Sequence, residues 1–571
     1  MILLQFLHFA AAFQTDDNFA FTDNVAGFLK TVDEFPDPVL ASEIEGIVPD
    51  WIQGSFYRVG PGQYEYGTDK YNHVFDPSAI IKRIHVENGK VSFQRRFINS
   101  THRAANFEEN RIVFAEMGTW SDPPGAEDLS GEGLELERCK WLGESSPTDN
   151  TIVSVIPLMG WLVAFTESNL VNLIDPFTLE TKHNLDLGES PNMPAGLTFA
   201  TVLAHGVFDE EGNYWTMSVA LDLPESAFIP KTAYVVIKFK NAKNYPLGSM
   251  ANPSEILESM EFADYLYNEN PRDTSIRYFH MFAASDDFFV LPMNSMELDP
   301  FATLESCRVG EPPMNMMQYD DSLKGFFKIF SKERMSWFPI KFEADWDFMQ
   351  LHMIQAVFDE DKNRITLDTL QTGNADILKE FTVSNINVTG EDIINSYSKL
   401  VPYGEPVRYI FDLSEKEQSV VKKVASEKLF EEDLENFPIY EQKNFFFSFL
   451  KSTKINVNFL GKPYDHFWSA GFGNILDDRL YHSKLSTRQR WVWREEGYSP
   501  SEPFFIPRPG GEGETDGVVI SLAGSLLGNR PDMRTFIVFL DPENLTEIAR
   551  AYFPEEVSIS ATAHGIFIPH F

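Results

Sequence analysis

Three times in this chain a solitary histidine sits on an apolar strand-like run that enters an acidic turn and returns as a second strand: HGVFDEEGNYWTMSVAL at His205, HMFAASDDFFVLPM at His280 and HMIQAVFDEDKNRITLDTL at His352. The turns carry Asp, Asn or Gly, residues that reverse the chain at low cost, and the flanking runs have strand length and composition. Each copy is therefore expected to be a β-hairpin. The copies recur at roughly 70–75-residue intervals, and His564 lies about three such intervals beyond His352. A unit repeated at that spacing restricts the chain to an architecture of stacked or radial modules.

Other segments follow the same grammar. IHVENGKVSFQRRF turns at Asn88-Gly89, a dipeptide suited to the positive φ angles of a two-residue hairpin loop. LIDPFTLETKHNLDL and FLDPENLTEIARAYF each read as strand, Asp-Pro turn and strand. The glycines of GSFYRVGPGQYEYG, Gly54 to Gly67, do not make a phosphate loop, because a strand rather than a helix follows. Asp359 to Arg364 lacks the Gly and closing Glu of a calcium loop and is read as a solvated turn. Helical periodicity is confined to stretches such as Ser254–Tyr267 and Glu415–Glu432, expected to be insertions on a β frame. About 540 residues divided at this spacing give about seven units, the blade count of an all-β seven-bladed β-propeller, in which every innermost strand faces one axis. One histidine from each of four blades would then meet on that axis. Residues 1–27 read as a leader and 28–571 as a single domain.

A formal charge of −38 opposes binding to nucleic-acid phosphates or to anionic headgroups by general electrostatics. With 50 Phe among its residues, the chain is expected to meet a neutral or apolar small partner. Two cysteines, Cys139 and Cys307, exclude a thiolate cluster and leave room for one disulfide. No apolar run reaches the length of a membrane-spanning helix. MILLQFLHFAAAF resembles a short signal peptide without a basic front, so secretion and a cytoplasmic or peripheral membrane location are both carried as expectations. Asn99, Asn387 and Asn544 head Asn-x-Ser/Thr triplets.

Imidazoles without thiolates suit Fe, Zn, Cu or Ni. Four neutral ligands leave a dication's charge uncompensated, so carboxylates are expected on the outer ring nitrogens. A lone histidine on an apolar strand is more often a hydrogen-bonded core residue; the shared setting before a hairpin sets His205, His280 and His352 apart. His570 is the alternative to His564.

Longer stretches carry a resemblance. FLKTVDE, WIQGSFYRVGPGQYEYG, FDPSAIIKRIHVENGKVSFQRRFI, FTESNLVNLIDPFTLET, LAHGVFDEEGNYW, FLGKPYDHFW, WVWREEGYSPSEPFF and AHGIF make the chain, from about Phe28 to its end, similar to carotenoid cleavage oxygenases. The similarity is to the animal branch that holds the β-carotene oxygenases and the retinoid isomerohydrolase of the eye. This resemblance implies a propeller with a lid of loops and short helices, and axial Fe(II) held by His205, His280, His352 and His564. It implies O2 added across a conjugated double bond of a carotenoid or apocarotenoid polyene to give two carbonyl products. It matches the family's outer glutamates to Glu167, orienting His280, and Glu502, orienting His564. The third falls at LENFPIY, where Asn436 occupies the matching position and Glu435 stands one residue earlier. MGTWSDPPGAED lacks the cysteine of the stretch that many animal members carry. Two other activities stay open: retinyl-ester isomerohydrolysis on the same iron scaffold, and carotenoid binding without turnover. An apolar substrate implies peripheral membrane contact, with the Phe-rich NFFFSFLKS from Asn444 as candidate surface and a core strand as its alternative reading.

Overall fold

Asn88 and Gly89 both take positive φ, 51° and 72°, and Ser78–Glu87 pairs antiparallel with Lys90–Phe97 across them, as a two-residue loop of matched twist requires. The two Asp-Pro turns are built alike. The Asp175 carboxylate accepts from the backbone N–H of Phe177 and Thr178, both at 2.9 Å, and Asp541 accepts from Glu543 and Asn544 at 2.9 and 3.2 Å. Leu179 and Leu545 then turn the chain back at φ 58° and 59°. In this computed structural model the described residues are 28–570, apart from 124, 146–147, 224–230, 269–274, 299–305, 373–377, 379–380, 384–404, 415–420, 431–448, 473–476 and 527–531.

The hairpins assemble into seven sheets of four to six strands each, the blades of a seven-bladed β-propeller. Blade 1 comprises Phe35–Leu40, Lys90–Phe97, Ser78–Glu87 and Gly54–Gln63, with the C-terminal Gly565–Pro569 on its inner edge. Blade 2 runs from Ser154–Leu158 to Thr181–Asp186, blade 3 from Leu197–Val202 to Met260–Tyr267, and blade 4 from Ala283–Ala284 to Lys341–Ala344. Blade 5 starts at Met349–Asp359 and blade 6 at Phe449–Lys454; blade 7 ends at Glu547–Tyr552, with Glu43–Gly46 on its outer edge. Both ends of the domain thus close the ring. The early strand Glu43–Gly46 finishes the last blade, and the late strand Gly565–Pro569 finishes the first.

Apolar layers hold neighbouring blades together. In Lys231–Phe239 of blade 3, Ala233, Val235, Ile237 and Phe239 pack toward blade 2, whereas Tyr234 and Val236 pack toward blade 4. Strict alternation with both faces covered explains why this strand reads as a nearly continuous apolar run.

Insertions lie outside the blades: helices Thr101–Glu109 and Gly131–Ser145 and a small sheet of Ile276–Arg277, Met296–Leu298 and Met317–Tyr319. Cys139 and Cys307 form a disulfide. The helix expected over Ser254–Tyr267 is confined to Pro253–Glu258. Met260–Tyr267 is instead the outer strand of blade 3, because its apolar residues find a partner edge, Met260 opposite Phe239 and Phe262 opposite Ile237. In the second expected helix, Val421–Val424 is a strand parallel to Lys341–Ala344, and Glu427–Lys428 pairs with blade 5. Gly54–Gln63 is a strand, and Asp359–Arg364 is a hairpin turn. No described helix is long and apolar enough to cross a membrane.

Candidate metal centre

His352 lies inside the inner strand of blade 5, where the pairing register shifts on either side of Met353. Such a bulge re-aims side chains. His205 and His280 do not sit within strands as their sequence setting suggested; with His564 they stand at interruptions on the inner edge. His205 falls between Leu197–Val202 and Val207–Phe208, His280 precedes Ala283–Ala284, and His564 precedes Gly565–Pro569. A break lets the ring leave the sheet face and turn toward the other histidines. Buried hydroxyls on the adjoining strands steady two of these positions: Thr216 donates to the His205 carbonyl at 3.2 Å, and Thr369 to that of His352 at 3.3 Å.

The spacing places these histidines on blades 3, 4 and 5, and the three further intervals to His564 return the chain to blade 1. One potential donor atom from each of His205, His280, His352 and His564 lies within 4.8 Å of all the others. His205 Nε2 and His280 Nε2 are 3.0 Å apart, and His352 Nε2 and His564 Nε2 are 3.3 Å apart. Nitrogens about 2 Å from one shared ion stand about 3 Å apart when adjacent and about 4 Å when opposite, so the donor set fits a single transition-metal ion.

The outer nitrogens of two of the four, His280 and His564, are engaged by carboxylates as a metal site favours. His280 Nδ1 hydrogen-bonds Glu167 Oε1, and the Tyr278 hydroxyl donates to the same oxygen at 3.1 Å. His564 Nδ1 faces Glu502 Oε1 and Oε2 at 3.3 and 3.4 Å. Both contacts leave Nε2 directed inward. Among the described residues no carboxylate hydrogen-bonds the His352 ring. Glu435 and Asn436 lie outside the described residues, as does Asn444–Ser448. Phe449–Lys454, the remainder of the Phe-rich segment with two residues of its approach to the turn, is the inner strand of blade 6. His570 is placed elsewhere, against Ser55.

Burial dominates the electrostatics. Desolvation and the neighbouring imidazoles hold His205 and His352 well below the ordinary histidine range. Burial, opposed by Glu502, brings His564 to about 4. Neutral imidazoles are the ligand-competent form. Burial pushes the Glu502 carboxyl up, yet Lys454, His564 and Arg58 outweigh it and hold it well below the ordinary range. Lys454 Nζ, at the end of the blade 6 inner strand, lies 3.1 Å from Glu502 Oε1. Tyr278, Thr216, Thr369, Lys454 and Arg58 carried no sequence signal of this role, since each meets the site only through the folded arrangement of the strands.

The family model described as retinal pigment epithelial membrane protein matches residues 28–569. The chain is 27% identical to the mitochondrial carotenoid-cleaving dioxygenase of Homo sapiens, covering 95% of this chain and 91% of that one. It is 26% identical to the β,β-carotene 15,15'-dioxygenase of Mus musculus, covering 93% and 89%. A variant of the apocarotenoid oxygenase of Synechocystis superposes with a TM-score of 0.72 at 16% identity, over 97% of this chain and 99% of that one. The lignostilbene dioxygenase of Pseudomonas brassicacearum gives 0.67 at 21% identity, over 98% and 99%. With four histidines converging on the axis of a seven-bladed propeller and a family match over nearly its whole length, this chain belongs to the retinal pigment epithelial membrane protein family of carotenoid oxygenases.

Proposed function

We propose that this protein is an Fe(II)-dependent dioxygenase that cleaves a conjugated double bond of a carotenoid or apocarotenoid into two carbonyl products. The observation that carries it is the meeting of four histidines from four blades, two of them backed by glutamates. The names of the relatives supply the substrate class.

When bound, iron would supply the redox chemistry that lets O2 react with a hydrocarbon. His205, His280, His352 and His564 would hold it and, as neutral ligands, leave positions open for O2. Glu167 and Glu502 accept from the Nδ1–H of His280 and His564 and so fix the tautomer that presents Nε2. Tyr278 holds the Glu167 oxygen in place. A polyene offers no hydrogen-bonding handle, so shape and apolar side chains would position it.

An apolar substrate must arrive from a membrane or a carrier. The insertion helices Thr101–Glu109 and Gly131–Ser145 each expose one large apolar side chain, Phe107 and Leu136, 68% and 69% accessible, and these are the candidates for peripheral membrane contact. Liposome co-sedimentation should fall when both are replaced by Glu; unchanged sedimentation would remove the membrane role from these helices.

The reaction is tested with iron-loaded protein, a panel of carotenoids and apocarotenoids, and isotope-labelled O2. Labelled carbonyl oxygen in the cleavage products is the expected result. An uncut panel would overturn the proposal. Unlabelled alcohol released from a retinyl ester would point to isomerohydrolysis instead, and a coloured complex that persists in air would point to binding alone.

A further inference from the structure

The stretch Ser558–Ala563, which leads from blade 7 to His564, forms no strand. Three of its carbonyls are taken up by side chains of blade 1. Arg95 Nη1 donates to Ser558 O, Lys82 Nζ reaches Ala561 O at 3.5 Å, and Arg58 Nη2 donates to Ala563 O and, at 3.2 Å, to Thr562 Oγ1. These cations are cross-strand neighbours, Arg58 opposite Lys82 and Lys82 opposite Arg95. All three are fully buried. A row of like charges without solvent is costly, since desolvation and mutual repulsion add. Both effects hold Lys82 well below the ordinary lysine range, and burial brings Arg95 down to about 10.

Arg58 also reaches the other side of His564. Its Nη1 donates to the Glu502 carbonyl at 3.2 Å and lies 3.6 Å from Glu502 Oε2, in the carboxylate that faces His564 Nδ1. One guanidinium therefore holds the backbone immediately before the histidine and the acceptor behind its ring. A planar group with donors on several edges can bridge two such directions, whereas a lysine ammonium at the end of a single stem cannot hold both in one geometry.

We propose that Arg58 is a positioning residue for His564. Together with Lys82 and Arg95 it forms a buried basic clasp that makes closure of the propeller ring and orientation of the fourth histidine a single event. The proposal rests on the reading of His564 as a metal ligand. It assigns a use to a costly buried row of basic side chains, which fasten the approach to His564 where its only backbone bonds to blade 1 among the described residues lie at the very end, Ala563 N–H to Val59 O at 2.9 Å and Val59 N–H to His564 O at 3.2 Å.

The test uses the full-length protein and Co2+ as probe, reading the dissociation constant by chelator competition, the ligand-field absorption and the Tm. Arg58→Lys should weaken Co2+ binding by about 10-fold or more, the range of lost outer contacts to metal ligands, and alter the absorption bands. Arg550→Lys serves as the control. Arg550 is a buried arginine held by Glu495 and Glu547, so its loss should lower Tm and leave Co2+ affinity and spectrum unchanged. An Arg58→Lys protein with wild-type affinity and spectrum would overturn the clasp. Should that variant not fold, Thr562→Val decides: it keeps Arg58 and removes one anchor, and a several-fold loss supports the clasp while wild-type behaviour overturns it. Wild-type protein that takes up no Co2+ would overturn the metal reading itself, and the clasp with it.

Discussion

Glu167 is the residue through which the site is most simply probed, because its single carboxylate oxygen is shared by His280 Nδ1 and the Tyr278 hydroxyl. Glu167→Gln keeps the shape and removes the charge. Metal affinity should fall by about 10–100-fold with little change in Tm, read by chelator competition; unchanged affinity would make this contact merely structural. Asp76 offers a second handle, outside the metal site. It is buried, accepts from Thr119 Oγ1 at 2.5 Å and from Gly118 N–H at 3.2 Å, and burial pushes its carboxyl up to about 8 from an ordinary 3.8. The folded protein thus keeps a proton that the unfolded chain releases. The stability it contributes is complete below the unfolded value and is lost as pH rises through about 8. Asp76→Asn should therefore gain on the wild type between pH 5 and 8, by up to roughly 1 kcal/mol per pH unit. Parallel Tm curves for the two proteins across that range would contradict this. At this scale His205, His280 and His352 were legible because they share a setting and a spacing, and His564, Glu167 and Glu502 because they sit in stretches that carry the family resemblance. Tyr278, Thr216, Thr369, Lys454 and Arg58 were not, since a hydroxyl or a cation in an apolar strand looks alike whether it serves a ligand or only its own sheet.

The hairpins were the most legible elements, because turn chemistry is local. Gly89 sits at φ 72°, with no atom nearer than 3.8 Å to a Cβ placed there, so conformation rather than crowding sets its preference. Gly89→Ala should cost about 1 kcal/mol, measured by chemical denaturation; an unchanged midpoint would contradict the turn assignment. What local pattern could not supply was partnership. Met260–Tyr267 has helical spacing in isolation and becomes a strand because blade 3 offers it an edge. The histidines' departures from strand geometry were likewise invisible, as they depend on register relative to a neighbouring strand. The disulfide between Cys139 and Cys307 spans 168 residues. Reduction should lower Tm by several degrees, since a bond closing so long a loop stabilises by up to about 4–5 kcal/mol. Two titratable thiols in unreduced, denatured protein would show that the bond does not form.

For the whole molecule, the seven-unit count followed from spacing alone, and the position of His564 follows from closure: the last strand completes the first blade, so a residue near the C-terminus meets residues from blades 3, 4 and 5. A chain ending at His564 retains all four histidines but loses Gly565–Pro569, which pairs with Gly54–Arg58. It should unfold at lower temperature, without a single cooperative transition, and bind metal poorly; wild-type unfolding would mean that the ring closes without this strand. The net charge of −38 fits a protein whose small partner is a hydrocarbon rather than an anion. The most direct measurement is elemental analysis of protein purified without added metal, for wild type and His352→Ala in parallel. Iron close to one per chain in the wild type and nearly absent from the variant is the predicted result. Wild-type protein without iron, or equal iron in both, would contradict the four-histidine centre.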